Sequence, residues 1–152
     1  MKKLFVLKAS VVIVLLSSLL FSACSKNDSE PTLPSKEYTL YNYSSGSAVN
    51  AGSFTIQELA DSTASLTIKL SSGFSIANVS LPAYIAKTDS ITGVELIYAN
   101  LGNVDGTSGI LTATPVKTSD NMTVNYSTLV GLQGYYVKVM NGTNVQAKGS
   151  IQ

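Results

Sequence analysis

The chain predicts an all-β fold, an antiparallel Greek-key β-sandwich of about seven to nine strands behind an N-terminal signal helix. Three observations carry this. From Glu37 onward apolar residues recur with a period of two, the repeat of a strand with one wet face. Clusters of Gly, Asn, Asp and Ser interrupt that pattern about every dozen residues. No stretch beyond the leader sustains a helical period.

The first element is the leader. Met1-Lys2-Lys3 is basic, Ala9 to Phe21 is apolar apart from three serines, and Phe21-Ser22-Ala23 brings small residues up to Cys24, the only cysteine. These are the three parts of a secretory signal. Lys8 shortens the apolar run below the roughly 20 residues a membrane span needs. The stretch resembles a bacterial lipoprotein signal, with Phe21 in place of the usual leucine. That resemblance implies cleavage of residues 1–23, diacylglycerol on the Cys24 sulfur and a further acyl chain on its new amino terminus. One acyl chain binds membranes marginally and two bind stably, so the linkage is a physical anchor. Ser25 in place of Asp implies outer-membrane delivery by the sorting rule of Gram-negative cells. Residues 24–36 are polar, with two prolines and no periodicity, and predict a flexible lipidated tether ahead of a single domain over 37–152.

Strands follow in order. The clearest is "TASLTIKL", where Ala64, Leu66, Ile68 and Leu70 alternate with Ser65, Thr67 and Lys69. Similar alternation predicts strands over Glu37 to Tyr43, Ser53 to Leu59, Leu81 to Lys87, Val94 to Leu101, Gly109 to Val116, Met122 to Tyr126, Tyr135 to Met140 and Asn144 to Ile151. Asn141-Gly142 predicts a type I′ hairpin turn, whose central residues both take positive φ. "STLVGL" alone suits a helical turn, with Ser127 as its N-cap.

The composition excludes much chemistry. There is no histidine, which removes the commonest general base, the usual zinc ligand and any Ser-His or Cys-His nucleophile pair. The basic residues are all lysines and the formal net charge is +1, so no basic stripe suits a phosphate backbone and nucleic acid is not an expected partner. Leu101 to Gly109 faintly echoes a calcium loop through Asn103, Asp105 and Ser108. It lacks the bidentate Glu such a loop ends on, and reads as a turn in which Asp105-Gly106 supplies the positive φ. Glu58, Asp61, Asp89, Glu95, Asp105 and Asp120 are scattered, with no spacing that selects a catalytic pair. No catalytic residue, metal site or cofactor is therefore expected. Tyrosines are the candidate binding residues: Tyr41 and Tyr43 share a strand and Tyr135-Tyr136 are adjacent, so some must face outward. Asp61-Ser62 and Asp89-Ser90 resemble the Asp-Ser/Thr triplet that some Bacteroidetes O-glycosylate, making Ser62 and Ser90 candidate modification sites.

The stretches "GSFTIQELADSTASLTIKL", "LGNVDGTSG", "YSTLVGLQGYYVKV" and "NVQAKGSI" together resemble the chordin-type (CHRD) domain in its short Bacteroidetes lipoprotein form. The resemblance covers Glu37 to Gln152 and implies an immunoglobulin-like or superoxide-dismutase-like sandwich in an extracytoplasmic protein. Relatives commonly carry a His-x-His pair where "PAYIAK" puts Tyr84 and Ala86, so no metal site carries over. The expectation is a non-catalytic, lipid-anchored envelope protein that binds a protein or a glycan. A fimbria-like assembly subunit and a carboxylate-dependent hydrolase are the alternatives.

Overall fold

The computed structural model describes residues 32–152. The signal peptide, the lipidation site Cys24 and most of the tether lie outside the described residues. Eight strands follow: β1 (Ser35–Asn42), β2 (Val49–Glu58), β3 (Ala64–Leu70), β4 (Ser80–Thr88), β5 (Glu95–Asp105), β6 (Ile110–Ala113), β7 (Tyr136–Asn141) and β8 (Asn144–Ser150). One short helix, α1 (Tyr126–Val130), precedes β7. β1 takes in Ser35 and Lys36, the last two residues of the expected tether.

The sheet is a closed barrel in the order β1-β2-β3-β6-β5-β4-β7-β8, every neighbouring pair antiparallel. This corrects the expected sandwich, and with it the immunoglobulin-like or superoxide-dismutase-like form. The physical reason lies at two narrow seams. The strands form two well-paired halves, β1-β2-β3-β6 and β5-β4-β7-β8, and each half alone has the alternation a sandwich layer would have. At one seam Asp105 pairs with Ile110. At the other Tyr41 pairs with Lys148, and the Asn42 side-chain amide donates to the Gln146 carbonyl at 2.8 Å. Closure removes the edges an open sheet would present.

Inside, eight strands leave just enough width for side chains to fill. Phe54, Leu40, Ile56, Leu66, Ile68, Leu81, Ile85, Val104 and Val137 are fully buried, and Tyr38 stacks on Phe54 with ring centroids 4.8 Å apart. Gly149 lets β8 approach β1: a Cβ there would stand 2.3 Å from the Thr39 carbonyl oxygen.

Because the strand direction alternates around the ring, the β2–β3, β4–β5 and β6–β7 connections share one end with the start of β1 and the finish of β8. The β1–β2, β3–β4, β5–β6 and β7–β8 connections share the other. The first end is plugged by residues 114–130. Val116 and Val124 are buried there, where the Val124 amide donates to the Val116 carbonyl, the Val116 amide to the Ala64 carbonyl and the Ala64 amide to the Val124 carbonyl, while α1 inserts Leu129. Met122 to Tyr126 is therefore no ninth strand; it contributes only isolated bridges, Thr63 to Asn125 and Lys117 to Thr123. The N-cap of α1 is Asn125 rather than Ser127, and its side chain makes no capping bond.

Two turn expectations are also corrected. The β7–β8 loop is Gly142-Thr143, with Asn141 still in the strand, and only Gly142 takes positive φ (57°), as a II′-like turn requires of its first position. In the β5–β6 turn Gly109, not Gly106, takes positive φ (70°). Gly106 is required for space instead, since a Cβ would meet the Ile76 carbonyl oxygen at 2.2 Å.

Candidate functional site

The β1–β8 seam leaves an outer groove of about 650 Å³, with Tyr41, Tyr43, Lys148, Thr39, Ser150 and Gln152 among its lining. Alternation along β1 sends Tyr38 and Leu40 inward and Tyr41 outward, and Tyr43 continues outward just past the strand. The two outward rings lie 6.4 Å apart, tilted by 51°. Lys148 sits between them and a second, smaller hollow that it and Tyr43 share with Asn144 and Val145.

The register extends this feature across the barrel. Tyr41 is opposite Lys148, Lys148 opposite Lys138, and Lys138 opposite Tyr84, giving one outward row over β1, β8, β7 and β4. Two lysines facing each other repel. Glu95 relieves this by forming an ion pair with Lys138, and Lys138 also lies 5.6 Å from the Tyr84 ring centroid. The Tyr136 hydroxyl donates to Glu95 Oε1 at 2.9 Å, which leaves the Thr88 hydroxyl, also 2.9 Å away, to donate to it. Lys148 covers the Tyr136 face at 3.6 Å. Among the described residues Lys148 has no ion-pair partner, and its ammonium rests on the Tyr136 ring while its side chain lines the groove.

Burial of Glu95 pulls its carboxyl pKa upward, but the Lys138 and Tyr136 hydrogen bonds and the charges of Lys138 and Lys148 outweigh that and hold it below the ordinary value. Burial, joined by the neighbouring Glu95 charge, pushes the Tyr136 phenol up. Glu95 is thus an anion held in place by Lys138 and Tyr136 that orders the row.

The four expected tyrosines do not converge. Tyr41 and Tyr43 line the groove. Tyr136 supports it from beneath Lys148 and is itself buried. Tyr135, one residue away and so on the opposite face, packs edge-on against Tyr98 with centroids 5.4 Å apart and belongs to the rim of the core. Burial and the Tyr135 neighbour push the Tyr98 phenol up. Ser62 and Ser90 both lie in exposed turns at the end where β1 begins, beside Asp61 and Asp89. Those carboxylates are engaged. Asp61 accepts from the Thr63 hydroxyl and amide, which lowers its pKa, and Asp89 accepts from the Thr92 amide and hydroxyl and the Ile91 amide, with the same result. Asp105 likewise accepts from the Thr107 and Ser108 amides within its turn. No group of three or more His, Cys, Asp or Glu side chains able to hold a metal ion occurs among the described residues.

Sequence reasoning missed Lys138 and Lys148. The signal was present, since both occupy outward positions of alternating strands that also carry Tyr136 and Gly149, but it becomes legible only once β8 is known to neighbour β1. No family model, curated protein or solved structure matches this chain.

Proposed function

We propose that the chain is a non-catalytic, lipid-anchored protein of the bacterial outer membrane whose barrel binds a glycan through the β1–β8 groove. The observation that carries this reading is the pair of outward rings, Tyr41 and Tyr43, lining one groove together with Lys148. Aromatic faces suit sugar rings, while the Thr39, Ser150 and Gln152 side chains beside them offer hydrogen-bonding groups. A protein partner is the second reading, favoured only by the exposure of Tyr43 next to Val145. The closed ring offers nothing to an assembly subunit that docks through free edges.

Two measurements test the proposal together. Fatty-acid labelling of cells is expected to mark wild type and not Cys24→Ala. On an array of purified bacterial and mucin glycans, wild type is expected to be retained, with Tyr41→Ala and Tyr43→Ala each weakening retention about tenfold, the equivalent of about 1.4 kcal/mol. Equal labelling of Cys24→Ala removes the anchor, and a wild type retained on no glycan, or retained equally by both tyrosine variants, removes the groove.

A further inference from the structure

The two ends of the barrel differ in character. At the end carrying the β1–β2, β3–β4, β5–β6 and β7–β8 connections, most exposed turn positions are polar, Ser44, Ser45, Ser72, Thr107, Ser108 and Thr143 among them, and the largest exposed apolar side chains are Tyr43, Val49, Ile110 and Val145, none more than 56% exposed. The end where β1 begins carries the most exposed apolar side chains of the described residues. Ile91 is 92% exposed at the tip of the β4–β5 hairpin and Met122 is 68% exposed in the turn after β6, with Val94, Leu96 and Leu33 at the same end. Scattered exposed apolar residues are ordinary; that the two most exposed both stand at loop tips of one end is not.

The hairpin tip is also built to project. Asp89 receives the Ile91 and Thr92 amides at 2.9 and 2.7 Å, and its own amide donates to the Val94 carbonyl at 2.8 Å, so the turn is held closed with Ile91 outside it. The second tip is fastened beside β5, the second strand of that hairpin. The Ser119 hydroxyl donates to the Ile97 carbonyl at 2.9 Å and its amide to the Tyr98 carbonyl at 2.8 Å, which brings the 118–122 turn alongside β5.

We propose that this end rests on a lipid bilayer, with Ile91 and Met122 entering the interface between headgroups and acyl chains. The proposal depends on Cys24 being lipidated, and chain length then selects the end. Cys24 to Thr32 is nine residues, which span roughly 30 Å when fully extended. A ten-residue strand at about 3.3 Å per residue, tilted by about 40° in a barrel, spans about 25 Å along the axis, so the polar end meets the surface only with the segment nearly extended. The apolar end meets it at any extension. Anchoring makes the contact intramolecular, so a few apolar side chains with feeble affinity of their own suffice. Glu37, Glu58, Asp61, Asp89, Glu95 and Asp120 outnumber Lys36, Lys87 and Lys117 at this end, which fits a zwitterionic surface rather than an anionic one.

The chain has no tryptophan, so Ile91→Trp and Ser45→Trp each install a single indole, at the apolar and the polar end respectively. Both sites are exposed and outside the core. The full lipidated protein is reconstituted in phosphatidylcholine vesicles with or without bromine on the acyl chains. Ile91→Trp is expected to emit at shorter wavelength and to lose most of its intensity over brominated lipid, while Ser45→Trp stays unchanged. Flotation separates the two ideas. If wild type floats with vesicles and Cys24→Ala does not, yet Ile91→Trp is quenched no more than Ser45→Trp, the bilayer contact is wrong and the anchor stands. If wild type does not float, or Cys24→Ala floats equally, the anchor fails and the proposal fails with it.

Discussion

Replacing Gly149 by alanine tests the closure of the barrel with a sign as well as a size. In an unobstructed strand, exchanging glycine for alanine stabilises by roughly 0.5–1 kcal/mol, because alanine has less backbone freedom to lose. At Gly149 the new methyl would lie 2.3 Å from the Thr39 carbonyl oxygen and 3.2 Å from both Leu40 Cδ2 and Phe54 Cε1. A carbon and an oxygen settle at about 3.3 Å, so β8 must retreat from β1 by about 1 Å. Overpacking of this kind costs about 1–3 kcal/mol. The retreat also stretches the Asn42 to Gln146 hydrogen bond, which contributes about 1 kcal/mol. Against the gain from alanine the net expectation is a loss of about 2–3 kcal/mol. With a urea m value of about 1–3 kcal/mol/M, the unfolding midpoint falls by about 1 M at unchanged slope. Gly73→Ala is the control, since its Cβ meets nothing within 4 Å. A Gly149→Ala protein as stable as wild type, or more so, would mean that Thr39 does not stand beside Gly149 and would refute the closed ring.

Glu95 ties stability to acidity. Its folded pKa lies below the ordinary carboxylate value of about 4.3, so the folded state binds its proton less readily than the unfolded state does. The stabilisation is therefore complete above that value and is lost as pH falls through the lower, folded one. The melting-temperature gap between wild type and Glu95→Gln is expected to be widest at neutral pH and to close below about pH 4. Because Glu95 is about a third exposed, solvent screening limits the gap to about 1 kcal/mol. A gap that widens on acidification would contradict the assigned ion pair. Leu129→Ala removes the fully buried side chain by which α1 plugs the barrel end, and calorimetry or urea titration is expected to show a loss of about 2–5 kcal/mol. A loss under 1 kcal/mol would mean that α1 is not docked there.

Much of the local structure was written in the sequence. Ala64, Leu66, Ile68 and Leu70 are buried and Lys69 is exposed, as their alternation predicts, because a period of two leaves no other way to hide the apolar set. The ring was not legible. Alternation specifies which face of a strand is dry but not which strand lies beside it, and Asn42 and Gln146, which meet at the seam, are 104 residues apart. The same gap hid the site. Tyr41 and Tyr43 were identifiable as outward residues of β1, whereas Lys148 acquires its role only from its neighbour across the seam. Adjacent Tyr135 and Tyr136 were grouped by proximity in sequence, although neighbouring strand residues face opposite ways. At 122–126 the local pattern suggested a strand, but those residues are occupied in closing the barrel end, and tertiary contact overrode propensity.

The seam between first and last strands makes the domain indivisible. Trimming a strand from either terminus yields no smaller barrel, only a curved sheet with two naked borders, each a template for another molecule's backbone. Shortened versions of this chain are thereby turned from self-contained units into adhesive ones, and the domain boundary is set at the outermost hydrogen bonds of β1 and β8.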